Sequence, residues 1–182
     1  TLHHNDHRLA SLAIACLCLP LGAIRASAAE LPYEPRTSYE QRNIEGWSCW
    51  INRRLLQHGE LAEPTLKLLR VKLYDIRRVV PDPALARLRA IPIWVELDDD
   101  KVDPCCCYHV SAQWLREHGF HPEKAQSVEI CSAARFLDWS GQQPFMILHE
   151  LAHGFHDRES GYDEPRILAV YRKTQETGRY EK

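Results

Sequence analysis

Residues 149–153 read His-Glu-Leu-Ala-His, with two histidines four positions apart and a glutamate directly after the first. On an α-helix, residues four apart lie on one face, so the imidazoles of His149 and His153 can reach one ion. Glu150 can then take a proton from a water molecule that the metal polarises. The spacing predicts a zinc-dependent hydrolytic site, with the two histidines as Zn²⁺ ligands and Glu150 as the general base.

A catalytic zinc site takes three protein ligands, so one more has to come from elsewhere in the chain. His156 shares the face of the two histidines, but three ligands on one straight helix rarely surround a tetrahedral ion. We expect His156 to line the cleft or to orient a ligand, with direct ligation as the alternative. Asp157 suits a hydrogen bond to a ligating imidazole or a cap at the helix end. Glu164 and Glu176 are candidates for the third ligand or are ordinary surface carboxylates.

Apolar residues surround the motif and indicate the element that carries it. They occupy positions 145–148, 151, 152 and 155. Pro144 suits the first turn of a helix. We therefore expect a largely buried helix that carries its polar groups on one side.

The rest of the sequence predicts an α+β fold. The clearest helix is 64–80, where apolar residues recur at spacings of three and four. The other helical segments are 53–58 (closing at Gly59), 84–90, 111–118 (capped by Ser111), 133–139 and 165–177 (capped by Asp163). Strands are predicted at 44–51, 91–97 and 128–131, with loops at 98–101 and 158–163.

The N-terminal residues predict export. Residues 9–24 are mostly apolar and Ala26-Ser27-Ala28 follows, which is typical of a signal peptide over 1–28. A retained membrane anchor is the alternative. After cleavage we expect a secreted or periplasmic protein without stable membrane insertion. It would have an extended lead-in over 29–43 and one domain over 44–182.

Composition restricts the partners. The 182 residues carry a net charge of −2, which does not favour a nucleic-acid partner. Removal of the signal peptide leaves five cysteines, an odd number: Cys49, Cys105, Cys106, Cys107 and Cys131. No C-x-x-C pair is present, so we favour disulfides or buried thiols over a structural metal site.

Several segments resemble a family of secreted bacterial zinc metallopeptidases with the motif HELAHxxHD. The resemblance covers most of the chain from about residue 39, and it is carried by 44–47, 91–96, 108–109, 113–119, 128–130 and 143–157. More distantly, the layout is similar to the catalytic domain of anthrax lethal factor-type zinc proteases. The resemblance implies a zincin-like fold, in which an edge strand lines the cleft above the metal and the substrate backbone adds to that edge. Residues 128–131 are the predicted edge strand.

The resemblance also shows departures. The related domains take a third ligand from a glutamate on a downstream helix, and this sequence has no matching segment. We therefore expect the domain to be incomplete at its C-terminus. The family usually has Ala and Tyr where this chain has Gly154 and Phe155, and Gly inside a helix costs about 1 kcal/mol relative to Ala.

The sequence thus predicts a zinc-dependent metallopeptidase that hydrolyses peptide bonds in a peptide or protein substrate. A non-catalytic metal-binding or protein-interaction domain is the main alternative, because the third ligand is missing. Hydrolysis of a non-peptide amide is a third hypothesis, since the motif alone does not specify the substrate.

Overall fold

Five strands and seven α-helices form an α+β fold in the part of the chain that the computed structural model describes, residues 32–99, 101 and 105–178. The strands are β1 (Tyr39–Ile44), β2 (Trp47–Asn52), β3 (Ile93–Val95), β4 (Cys106–His109) and β5 (Ser127–Ile130). The helices are α1 (Arg53–Gln57), α2 (Gly59–Val79), α3 (Asp82–Arg89), α4 (Ala112–Glu117), α5 (Ala133–Trp139), α6 (Met146–Phe155) and α7 (Pro165–Glu176). The predicted signal peptide, 1–28, lies outside the described residues.

The strands form one mixed sheet in the order β1-β2-β3-β5-β4. β2, β3 and β5 run parallel, while β1 and β4 are antiparallel to their neighbours. The prediction that residues 128–131 form the edge strand is therefore wrong. β5 pairs on both sides, and β4, where no strand was predicted, lies at that edge of the sheet.

A tight hairpin replaces the single strand that was predicted over 44–51. Glu45 and Gly46 both have positive φ, 52° and 99°, and Ile44 pairs directly with Trp47. Two such central residues make the two-residue turn whose twist suits a β-hairpin. The first strand of the hairpin begins at Tyr39, so the last five residues of the predicted extended lead-in, 29–43, form part of the sheet.

Most helices lie close to their predicted positions. In α2 the core stripe contains Leu69, Leu73 and Ile76, all buried as predicted. This helix begins at Gly59, five residues before the predicted start at Pro64. Ser111 caps α4 as predicted, whereas α7 is capped by Glu164 rather than by Asp163. No helix among the described residues combines the length and the apolar character that crossing a membrane requires.

The two faces of the sheet differ in chemistry because side chains alternate along each strand. One face presents apolar side chains to the helices, and the core there contains residues of α2, α5 and α6. The opposite face carries Trp94, Glu96, Glu129 and Cys107, covered in part by Lys124 from the turn Pro122–Lys124. The motif helix and the polar residues of the sheet thus lie on opposite faces.

Candidate metal centre

The two motif histidines converge on the exposed side of α6. Their Nε2 atoms lie 3.0 Å apart, and the rings meet edge to face with centroids 4.7 Å apart. The other side of the helix is anchored in the core by four buried residues, Met146, Ile147, Leu151 and Gly154. The sequence correctly predicted this division of the helix into a buried side and a polar side.

A metal ion that binds both histidines sets the distance between their two ligating nitrogens. Zn–N bonds of about 2.0–2.1 Å at tetrahedral angles separate two ligating nitrogens by about 3.4 Å. The observed Nε2–Nε2 distance of 3.0 Å between His149 and His153 is within reach of this value by small side-chain rotations. The donor set, two imidazoles of one helix face, therefore fits a single Zn²⁺ ion.

The side chain of Glu150 extends from α6 to the edge strand β4. Its half-buried carboxylate accepts a hydrogen bond from the backbone N–H of Tyr108 in β4. Burial raises the pKa of this carboxyl above its ordinary value, against the opposing effects of His149 and the Tyr108 N–H. The predicted base thus lies beside the predicted ligands and directly against β4.

β4 has no neighbouring strand on one side among the described residues. Cys105 and His109 direct their carbonyls inward, to the N–H groups of Cys131 and Gln126. In an antiparallel pair the intervening residues direct their backbone groups outward. Cys106 and Tyr108 therefore present N–H and C=O groups at the edge beside Glu150, where an extended chain could add.

No hydrogen bond joins Asp157 to either motif histidine in this structure. Its carboxylate instead accepts a hydrogen bond of 2.8 Å from the hydroxyl of Tyr108. Burial raises the pKa of Tyr108, and this hydrogen bond raises it further. Asp157 therefore fastens the turn after α6 to the edge strand, a role that the sequence analysis did not anticipate.

The close packing around position 154 explains why a glycine is found there. A Cβ at this position would lie 2.7 Å from Cδ1 of Ile91 and 2.8 Å from Cε2 of Tyr108. Helix α6 and the Tyr108 ring approach so closely here that only glycine fits without rearrangement. Gly154 is thus matched to the close approach of Ile91 and Tyr108.

The remaining third-ligand candidates form no three-residue ligand cluster with the two motif histidines among the described residues. Glu164 caps α7 and accepts hydrogen bonds from the backbone N–H and Nε of Arg166. Glu176 is exposed in the last turn of α7. His156 begins a π-helical turn, His156–Ser160, and its buried Nε2 has no hydrogen-bond partner. Across residues 32–99, 101 and 105–178, no third ligand atom from His, Cys, Asp or Glu lies within 4.8 Å of both motif histidines.

A cleft of about 460 Å³ opens beside His149 and Glu150. Its other walls come from the loop before α6, the end of α5 and the start of β4: Trp139, Gln143, Pro144, Phe145, Met146, Cys105 and Cys106. Phe145 is 72% exposed and Trp139 is 42% exposed. Large apolar side chains thus stand uncovered next to the motif.

A second cluster of reactive groups lies on the opposite face of the sheet. Ligand atoms of Cys107, Glu129 and Cys131 all lie within 4.8 Å of one another, and His109 Nε2 is 2.5 Å from Glu129 Oε2. Lys124 donates a hydrogen bond to Glu129 Oε1. This cluster was not predicted from the sequence, although the alternation of side chains over 128–131 places Glu129 and Cys131 on one face.

The five cysteines of the described residues are free thiols. Cys49, Cys105, Cys106 and Cys131 are buried, and Cys107 is half-buried. Burial raises the pKa of the Cys106 thiol well above its ordinary value, with a further contribution from Glu150. Cys105 and Cys106 border the cleft, whereas Cys107 belongs to the cluster on the other face.

No protein-family model, curated protein or solved structure matches this chain. The interpretation of the site therefore depends on its own geometry.

Proposed function

We propose that this chain is a zincin-like, zinc-dependent peptidase domain that acts on peptide or protein substrates. The observation that carries the proposal is the convergence of the His149 and His153 Nε2 atoms, 3.0 Å apart, beside a carboxylate that contacts an edge strand. A mixed sheet whose edge strand lies next to the motif helix is also in keeping with the resemblance to zincin-type peptidases.

The open edge of β4 supports an extended substrate. A peptide that adds to this edge would form backbone hydrogen bonds with Cys106 and Tyr108, the usual mode of strand addition. Such a peptide would pass directly beside Glu150, which holds the Tyr108 N–H in the free protein. Binding of the peptide to that N–H would release the Glu150 carboxylate for proton transfer.

Each motif residue then has a defined task. His149 and His153 would hold the ion through Nε2. Zn²⁺, when bound, would polarise the scissile carbonyl and lower the pKa of a water molecule. The Glu150 carboxylate would accept a proton from water and pass it to the leaving amine.

The cleft supports a preference for apolar side chains. Phe145 and Trp139 are exposed beside His149, and burying a large apolar side chain against them would contribute about 1.5–3 kcal/mol. We expect peptides with Leu or Phe next to the scissile bond to be cleaved faster than peptides with Asp at that position. Replacing Phe145 with Ala should reduce this difference.

Zinc content and peptide hydrolysis test the proposal together. The purified chain should bind about one equivalent of Zn²⁺ by native mass spectrometry, and His149→Ala and His153→Ala should each lose it. Glu150→Gln should retain zinc and lose casein hydrolysis, because glutamine accepts no proton. His58→Ala is the matched control, since His58 is exposed at the junction of α1 and α2. A folded chain that neither binds zinc nor cleaves any peptide would overturn the proposal.

One observation favours a second function, a non-catalytic metal-binding domain. Asp157 and Glu164 are engaged by Tyr108 and Arg166, and no third ligand atom is close to both histidines among the described residues. This alternative predicts zinc binding that depends on His149 and His153 without turnover of any peptide in a library. The Glu150→Gln variant would then behave as the original chain in every assay.

A further inference from the structure

Two thiols lie in contact on the sheet face opposite the motif helix. Cys107 Sγ and Cys131 Sγ are 3.6 Å apart. Cys107 lies in the edge strand β4, and Cys131 directly follows β5, with its N–H bonded to Cys105 O at 2.9 Å. A disulfide requires an S–S distance of about 2.05 Å, so the two sulfurs have to approach by about 1.6 Å for the bond to form.

We propose that Cys107 and Cys131 form a reversible disulfide, with Cys107 as the thiol that first reacts with a low-molecular-weight disulfide. Cys107 is half-buried and so accessible to a small oxidant, while Cys131 is buried behind it. This division suits an attacking thiol and a resolving thiol. The proposal does not depend on peptidase activity, because the pair lies across the sheet from His149 and Glu150.

The surroundings favour the thiolate of Cys107. Its sulfur is 3.5 Å from His109 Nε2. The hydrogen bond with Cys131 and the contact with His109 lower the pKa of Cys107, although burial opposes them. Burial would lower the pKa of His109, but hydrogen bonds with Cys107 and Glu129 outweigh it and raise that pKa to about 9. The proton of the pair therefore rests on the imidazole, and the nucleophilic thiolate is available.

The same cluster could be interpreted as a metal site, since Glu129 lies with the two sulfurs. Its carboxylate, however, is already occupied on both oxygens, Oε1 by Lys124 and Oε2 by His109. A cation would have to displace one of two positively charged groups from a fully buried carboxylate, and Glu129 is 0% exposed. The two thiols are free of this competition, so their mutual oxidation is the favoured chemistry.

The reaction balances with glutathione disulfide as the oxidant. The Cys107 thiolate attacks one sulfur of the oxidant, forms a mixed disulfide and expels a thiolate that takes up a proton. Cys131 then loses its proton to water and attacks Cys107 Sγ, which breaks the mixed disulfide and releases the second glutathione thiolate. The protein loses two electrons and two protons, and one small disulfide becomes two thiols.

Mass spectrometry of the full chain in glutathione redox buffers tests the pairing. Oxidation should lower the intact mass by about two mass units, the mass of two hydrogens. Trypsin should then release a cross-linked pair of peptides, 102–116 and 125–135, and the second contains only Cys131 among its cysteines. Cys107→Ser should abolish the cross-link, whereas Cys105→Ser, Cys106→Ser and Cys49→Ser should retain it.

A variant of His109 tests whether this side chain activates Cys107, apart from whether Cys107 and Cys131 are close enough to pair. His109→Gln should slow the oxidation at pH 7 by about tenfold, because the thiol returns toward its ordinary pKa. The same final cross-link should still form in this variant. The proposal would be overturned by a cross-link that leads to Cys105 or Cys106, by unchanged thiols in oxidised glutathione, or by a zinc ion retained through Cys107 and Cys131. Fragmentation of the cross-linked peptides from the unsubstituted chain, between the adjacent cysteines of 102–116, decides the pairing even if a variant fails to fold.

Discussion

The hydroxyl of Tyr108 donates a hydrogen bond of 2.8 Å to the carboxylate of Asp157, and this contact joins the sheet edge to the turn after the motif helix. The backbone N–H of the same residue binds Glu150, and its ring covers Gly154. One residue of β4 thus contacts the motif helix and the following turn through three different groups. The position of the edge relative to the proposed zinc ligands depends on Tyr108.

Removal of the Tyr108 hydroxyl should weaken this junction. We expect Tyr108→Phe to lower the free energy of unfolding by about 1–2 kcal/mol, because a half-buried carboxylate loses its donor. Urea denaturation followed by tryptophan fluorescence measures the change. Tyr171→Phe is the matched control, since Tyr171 is 59% exposed on α7, and its effect should stay within about 0.5 kcal/mol. Equal stabilities of the two variants would argue against the junction.

Gly154→Ala tests the close approach of α6 and β4. Alanine favours a helix by about 1 kcal/mol relative to glycine, but its methyl group would meet Ile91 at 2.7 Å and Tyr108 at 2.8 Å. Overpacking of this kind costs about 1–3 kcal/mol, so we expect a net loss of stability in thermal unfolding. At Gly59 an added methyl group meets nothing within 4 Å, and Gly59→Ala should be neutral or stabilising. A more stable Gly154→Ala variant would contradict the packing described here.

The sequence predicted the motif helix and most other helices because their apolar residues recur with helical period, as Leu69, Leu73 and Ile76 do in α2. It could not place β4 at the sheet edge, since strand order is set by long-range pairing that local patterns do not encode. The roles of Tyr108 and Asp157 followed from that order and were missed for the same reason. The contact between Cys107 and Cys131 also arises only when β4 and β5 pair.

His156 should influence zinc binding. Its buried Nε2 has no hydrogen-bond partner, and it contributes, after burial and His149, to the lowered pKa of His153. A residue that orients a ligand typically changes metal affinity by about 10–100-fold. We expect His156→Ala to weaken Zn²⁺ binding at least tenfold in competition with a chromophoric chelator. His58→Ala, at an exposed histidine, should leave the affinity unchanged, and an equal affinity of both variants would exclude a role for His156.

The ion pairs of Glu129 should make folding sensitive to acid. Burial raises the pKa of Glu129, but the hydrogen bond from His109 and the charge of Lys124 outweigh burial and hold that pKa below its ordinary value of 4.5. A carboxyl with a depressed pKa stabilises the fold above its unfolded pKa, and this contribution is lost as the pH falls through the folded value. Glu96 and Cys107 also face this cluster and remain in any variant of Glu129.

Glu129→Gln isolates this contribution. At pH 7 the variant should lose about 3 kcal/mol or more, because two buried cations lose their shared partner. The difference from the original chain should shrink as the pH falls below 4.5, where the carboxyl of the unfolded chain becomes protonated. Urea denaturation between pH 3 and pH 7 measures both effects. Glu123→Gln is the control, since Glu123 pairs with Arg36 at the surface with 48% of its side chain exposed, and its cost should stay below about 1 kcal/mol at every pH. A pH-independent loss in Glu129→Gln would mean that packing, rather than charge, accounts for the stability that Glu129 provides.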